Sequence, residues 1–162
     1  MTEKDISKKG MIVIGYPGVG KSTLAAKDRK YLDLESSVFS VDGVRREDWY
    51  KEYVVLAEYF SRQGYIVFVS SHGLVQQELI GSKERVVIVY PTLMLYRSWI
   101  KKLEDRYDND PVRKNYVSYQ NVKEGILLQV KDMMRSPFER IEIKDMNYDL
   151  EQMIAARVEG SK

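Results

Sequence analysis

The chain contains no cysteine and a single histidine, His72. The first absence removes structural disulfides, thiolate catalysis and cysteine-ligated zinc. The second rules out a histidine-rich metal site. Proline is scarce, with 4 residues, and no Gly-, Ser- or Pro-rich linker divides the sequence. A surplus of either charge is also missing: 26 basic and 24 acidic residues leave a net +2. That balance argues against a dedicated nucleic-acid partner, although it permits a local basic patch. No apolar stretch approaches the roughly 20 residues that span a bilayer. The opening MTEKDISKKG is charged and polar, and the apolar run MIVIG after it is too short for a signal core. A soluble, cytoplasmic protein with no membrane partner is expected.

What is present suits a folded domain. The 162 residues, 44% hydrophobic and 31% charged, are enough to bury a core and fit one domain over 1–162. Short apolar runs alternate with longer amphipathic stretches. Strands are expected at 11–15, within 31–41, at 65–69, 85–90 and 138–143. Helices are expected at 21–29, 47–63, 73–80 and 93–107, around Val122–Met133, and at 148–158, from apolar residues recurring at three- and four-residue spacing. Asp108–Pro111 carries turn chemistry that ends the fourth helix. Strands apolar on both faces, interleaved with such helices, predict a parallel sheet covered on both sides. With right-handed crossovers this is a three-layer, doubly wound, five-stranded α/β fold. Ligands in such sheets bind beyond the carboxyl ends of the strands.

The residues after the first strand are Gly15-Tyr16-Pro17-Gly18-Val19-Gly20-Lys21-Ser22-Thr23. Glycines there allow tight turning and bring backbone N–H groups against an anion. Lys21 is placed to reach the β- and γ-phosphates of ATP, and the Ser22 hydroxyl to ligate Mg²⁺. Chance would produce the four fixed positions in a chain of this length about once in a few hundred. An apolar strand before and a helix after lower that further, so Gly15, Pro17, Gly18, Val19, Gly20, Lys21, Ser22 and Thr23 are the expected nucleotide-binding residues.

The sequence beyond the loop narrows the class. The Asn-Lys-x-Asp and Asp-x-x-Gly strings of signalling GTPases are missing. The runs ending at Val69 and Val89 lead into Ser70-Ser71-His72 and Tyr90-Pro91, with no carboxylate of the kind motor ATPases place after a strand. The loop resembles the Gly-x-Pro-Gly-x-Gly-Lys of the nucleoside monophosphate kinase superfamily, adenylate-kinase-like in topology. Gly64–Ser71 is similar to the third strand of gluconate-kinase-type enzymes, and Pro91–Arg106 looks like an arginine-bearing lid. The Asp-Gly-Phe-Pro-Arg string and long lid insertion of adenylate kinases are absent. The resemblance implies a phosphotransferase using ATP and Mg²⁺, with a helical lid at about 93–120 carrying Arg97 and Arg106.

The same resemblance places the acceptor after the second strand. Asp33 and Glu35 share a face there if the segment is extended, followed by Ser36 and Ser37. Either carboxylate can take a proton from a hydroxyl or hold Mg²⁺ through water; a solvated strand end is the alternative. Asp42-Gly43-Val44-Arg45-Arg46 reads as a turn with paired arginines where a helix starts. Arg45 suits bidentate contact with a phosphorylated acceptor, against a merely solvated pair. Arg97 and Arg106 border an apolar stripe of Tyr96, Trp99, Ile100, Leu103 and Tyr107 on opposite sides, so one can serve ATP and the other the acceptor. Arg113 is a further lid candidate, and surface arginines packing on aromatics are the alternative. Ser70 and Ser71 sit at the ligand edge as substrate contacts or helix caps. His72 reads as structural.

Three functions remain open at this level. The leading one is transfer of the ATP γ-phosphoryl group to a (deoxy)nucleoside monophosphate, with Lys21, Asp33, Arg97 and Arg106 as the catalytic set. A hydroxylic acceptor (polyol, sugar acid or polynucleotide end) is the second. A non-catalytic nucleotide-binding protein is the third.

Overall fold

The computed structural model describes residues 10–35, 40–41, 44–108 and 117–159. In chain order its strands are β1 (Met11–Gly15), β2 (Tyr31–Asp33), β3 (Ser40–Val41), β4 (Val44–Arg45), β5 (Ile66–Ser70), β6 (Val86–Pro91) and β7 (Glu139–Ile143). Its helices are α1 (Lys21–Lys27), α2 (Trp49–Arg62), α3 (Gly73–Leu79), α4 (Tyr96–Asp108), α5 (Val117–Met134) and α6 (Leu150–Glu159), with a 3-10 turn at Leu93–Leu95. Five strands form one parallel sheet in the order β2-β5-β1-β6-β7, with helices on both sides, as the apolar runs predict.

Position in the sheet explains the composition of each strand. Central β1 is buried along its whole length, and β5 and β6 are buried at all but one residue each. Edge strand β7 alternates more and reads less clearly. From β1 the chain passes to one side, through β2 and β5, and then to the other, through β6 and β7. The carboxyl end of β1 is therefore the switch point of the sheet, where doubly wound folds bind ligands.

The chain divides into two compact units. One comprises residues 1–15, 21–88 and 137–139, and the other 16–20, 89–136 and 140–162. In the first, β1 pairs with β5 from Met11↔Ile66 to Gly15↔Ser70, and β2 pairs with β5 from Tyr31↔Ile66 to Asp33↔Phe68. Tyr31 stacks on Phe68, with ring centroids 5.8 Å apart, which holds the short β2 in register. In the second unit, Trp99 and Leu103 of α4, Val122, Ile126, Val130 and Met133 of α5, and Ile154 of α6 are buried.

Several boundaries differ from expectation. The extended segment expected within 31–41 is a main-sheet strand only as far as Asp33. Ser40–Val41 instead pairs antiparallel with Val44–Arg45, as Val41↔Val44 and Ser40↔Arg45. Arg45 thus lies in β4 and not where a helix starts; α2 begins four residues later at Trp49. The two residues between Val41 and Val44 are Asp-Gly, a pair favoured in two-residue hairpin loops, although Asp42 and Gly43 lie outside the described residues. Arg46 stands just before α2, and its pairing with Asp48 at 3.3 Å and Glu52 at 3.2 Å offsets its charge against the helix dipole. The expected helix 93–107 opens as the 3-10 turn and is α-helical only from Tyr96.

Candidate active site

The loop after β1 has the backbone its glycines predict. Gly18 and Gly20 have φ of 92° and 108°, conformations that side chains other than glycine rarely adopt. Gly18 is constrained a second time: a Cβ there would lie 2.9 Å from Leu103 Cδ2 and 3.1 Å from Trp99 Nε1. Lys21 opens α1, and its Nζ donates to the carbonyl of Gly15 at 2.9 Å, which draws the ammonium back along the loop. Ser22 is half-buried beside it and Thr23 is exposed. Two left-handed glycines followed by an ammonium and a hydroxyl fit a polyphosphate. Mg²⁺ carried mainly on phosphate oxygens needs little more from the protein than one such hydroxyl.

Within the second unit the loop carbonyls are taken up by donors. Trp99 Nε1 donates to Pro17 O at 2.8 Å. Tyr148 Oη donates to Val19 O at 2.8 Å and lies 3.3 Å from Gly18 O. Lys102 Nζ donates to Tyr148 Oη at 2.8 Å and sits over both rings, 4.5 Å from the Trp99 centroid and 4.8 Å from that of Tyr148. Burial pushes the Tyr148 hydroxyl up to about 12, with the charge of Arg106 pulling the other way, so it stays a donor at neutral pH. Burial, and secondarily Arg106, lowers the Lys102 ammonium from its ordinary value. Tyr16 Oη, in the loop itself, donates to Gln129 at 2.6 Å.

The expected acceptor residues belong to the first unit. Asp33 closes β2 and is half-buried; Glu35, two residues on, is exposed. Ser70 closes β5, with Gly15 as its register partner on β1. Tyr53 of α2, completely buried, ties the strand ends together: its hydroxyl donates to Leu34 O at 2.6 Å and accepts from Ser70 N at 2.9 Å. Asp33 and Ser70 are therefore brought to one edge. Ser70 Oγ accepts from His72 N at 3.1 Å, and Ser71 O accepts from Gln76 Nε2 at 2.7 Å. The cap of α3 is His72, whose Nδ1 accepts from Leu74 N at 3.2 Å; neither serine serves as that cap. Trp49 meets the His72 ring edge-on at 5.4 Å, which agrees with a structural histidine.

The two arginines expected in a lid differ in setting. Arg97 is exposed, with Nε donating to Tyr96 Oη at 2.8 Å and its guanidinium 5.5 Å from that ring. Arg106 is half-buried, and its charge is felt at Lys102 and Tyr148. Arg113, Ser36 and Ser37 lie outside the described residues, and for Arg45 only the backbone is described. Sequence reasoning missed Trp99, Lys102, Tyr148 and Tyr53 as site residues. The available signal was slight: Lys102 stands three residues after Trp99 and four before Arg106, which puts the three along one helix edge.

No family model matches the chain, and no curated protein matches it. Among solved structures it is similar to the shikimate kinase from Bacteroides thetaiotaomicron, at 14% identity over 94% of this chain and 96% of that one, with a TM-score of 0.49. A likeness of that strength carries nothing about chemistry. Counted in chain order within the main sheet, the strands run 2-3-1-4-5, and the glycine-rich loop follows the central one. The fold is a five-stranded parallel, doubly wound α/β sheet with helices on both sides.

Proposed function

We propose that the chain is an ATP-dependent phosphotransferase that moves the γ-phosphoryl group to a small acceptor, a (deoxy)nucleoside monophosphate. The observation that carries this reading is the loop at the end of β1, with Gly18 and Gly20 in left-handed conformations and Lys21 and Ser22 directly after them. Gly15, Pro17, Val19 and Thr23 complete the nucleotide-binding segment. Lys21 neutralises charge on the β- and γ-phosphates, and Ser22 is the protein ligand to magnesium. Bound Mg²⁺ supplies charge neutralisation across the same phosphates. Arg106, the half-buried member of the lid pair, stabilises the nucleotide side of the transferring group, and Arg97 the acceptor side. Asp33 orients the acceptor, with Glu35, Arg45, Ser70 and Ser71 around it. The whole chain acts as one kinase domain with its lid at about 93–120. It works in the cytoplasm, where ATP and monophosphates are at hand.

A hydroxylic acceptor is favoured by one specific feature, the gathering of Asp33 and Ser70 at the strand ends tied by Tyr53. A carboxylate there can accept the proton that a sugar or polyol hydroxyl must lose, whereas a phosphate acceptor needs little base catalysis. An ADP-release screen with MgATP against monophosphates and hydroxylic acceptors tests both readings. Release above the acceptor-free background with a monophosphate is expected. Release only with hydroxylic compounds selects the second reading, and release with neither removes phosphotransfer.

A further inference from the structure

Peptide geometry makes the donors beneath the loop more than packing. In a trans peptide, the C=O of one residue and the N–H of the next lie in one plane and point in opposite directions. A donor that holds Pro17 O therefore sets the direction of the Gly18 N–H, and one that holds Val19 O sets that of the Gly20 N–H. Trp99 Nε1 is on the first carbonyl and Tyr148 Oη on the second, each at 2.8 Å. Between them, Val19 N donates to Tyr16 O at 3.2 Å, inside the loop.

The two donors are themselves held. Trp99 is completely buried, and the Trp99 and Tyr148 rings stack with centroids 5.9 Å apart and planes 27° from parallel. Tyr148 Oη accepts from the Lys102 ammonium, which leaves its one proton to be given to the loop. Such donation strengthens when the donor oxygen is itself polarised by a cation. A Cβ added at Gly18 would meet Leu103 Cδ2 at 2.9 Å and Trp99 Nε1 at 3.1 Å, so a larger side chain there would disturb the Trp99 donor.

We propose that Trp99 and Tyr148, with Lys102 behind them, are positioning residues of the phosphate loop: they hold the 17–18 and 19–20 peptide planes so that the Gly18 and Gly20 N–H groups face a bound polyphosphate. The inference rests on the phosphotransferase reading for its ligand, but it assigns work to residues outside the loop motif. It also makes a reciprocal demand, because each donor makes its short bond to a different peptide, Tyr148 having only a longer 3.3 Å contact with Gly18 O besides.

The test uses the full chain, magnesium tripolyphosphate and MgATP as probes, calorimetry, and ¹⁵N–¹H spectra. In the unmodified protein both Gly18 and Gly20 amide resonances should move when magnesium tripolyphosphate binds. In Tyr148→Phe, which keeps the ring, the Gly20 response should shrink while Gly18 still responds; Trp99→Phe should do the reverse. Kd for both polyphosphates should rise about tenfold in each variant, the usual consequence of leaving one buried polar group without its partner. A role in packing alone would lower the melting temperature without this exchange of amide responses. Should Trp99→Phe fail to fold, Tyr148→Phe and Lys102→Met, the latter with a partial loss at Gly20, still decide the matter. Unchanged Kd and unchanged Gly20 response in Tyr148→Phe, with the unmodified protein binding normally, would overturn this inference alone. Absence of polyphosphate binding to the unmodified protein would remove the phosphotransferase reading and this inference together.

Discussion

At the scale of single residues, charge does most of the separating between readings. Lys21→Ala removes the ammonium proposed to meet the phosphates, and Ser22→Ala the hydroxyl proposed as the magnesium ligand. Both positions are at least partly solvated and neither supports the core, so the expected result is loss of phosphoryl transfer with an unchanged circular dichroism spectrum. Turnover retained by a folded Lys21→Ala protein would exclude the mechanism. On the acceptor side, Asp33→Asn distinguishes the two kinds of acceptor. Loss of a general base for a hydroxyl should lower kcat roughly 10²–10⁴-fold with little change in acceptor KM. If Asp33 only positions a monophosphate, the loss is smaller and falls partly on KM. Arg45→Ala should then weaken a phosphorylated acceptor by about 1.5–3 kcal/mol, the worth of a hydrogen bond to a charged group. Unchanged kinetics of Arg45→Ala with every active monophosphate would move the acceptor site away from β4.

Elements differ in how openly the sequence declares them. β1, β5 and β6 are unbroken apolar runs because neighbours cover them on both faces and both edges, so burial and composition coincide. The hairpin of β3 and β4 escapes a sequence reading because two-residue strands have no periodicity; only the intervening Asp-Gly marks it, and the same pair serves as a turn before a helix. The glycine-rich loop is legible because its signal is local, carried by nine consecutive residues. Its supports are not. Trp99 reaches Pro17 across 82 positions of the sequence and Tyr148 reaches Val19 across 129. As a sequence feature, Trp99 is an apolar stripe residue on a helix like any other, and Tyr148 is the first residue of the helix expected at 148–158, with no signal of its own. Tyr53 is equally hidden, since it reads as one of the apolar positions of α2. Its hydroxyl nevertheless joins the ends of β2 and β5. Tyr53→Phe leaves Leu34 O without its donor and Ser70 N without its acceptor in a buried setting, so a destabilisation of about 1–3 kcal/mol is expected in urea unfolding. Because the same hydroxyl aligns the strand ends that carry Asp33 and Ser70, acceptor KM should rise in the folded variant while nucleotide KM stays put. A rise in nucleotide KM instead would show that Tyr53 does not serve the acceptor edge.

For the molecule as a whole, the fold places its chemistry by topology alone. One strand is central, the chain winds to either side of it, and its carboxyl end is where a ligand meets the switch of the sheet. A ligand bound there engages backbone that exists only in the native arrangement: the left-handed glycines and the carbonyls held by Trp99 and Tyr148 have no counterpart in an unfolded chain. Linkage then fixes the size of the effect. At a hundred times Kd, MgATP adds about 2.7 kcal/mol to the stability of the native state. With roughly 2–4 °C per kcal/mol for a chain of this size, the melting temperature should rise by about 5–11 °C. Lys21→Ala, folded but stripped of the loop ammonium, should show a much smaller shift at the same concentration, and scanning calorimetry on the two proteins side by side gives the comparison. The shift should also require the phosphates, so adenosine at equal concentration should produce little of it. A melting temperature that stays where it was in millimolar MgATP, with no heat of binding by titration, would make the loop a relic of its fold and leave the chain without a phosphoryl donor.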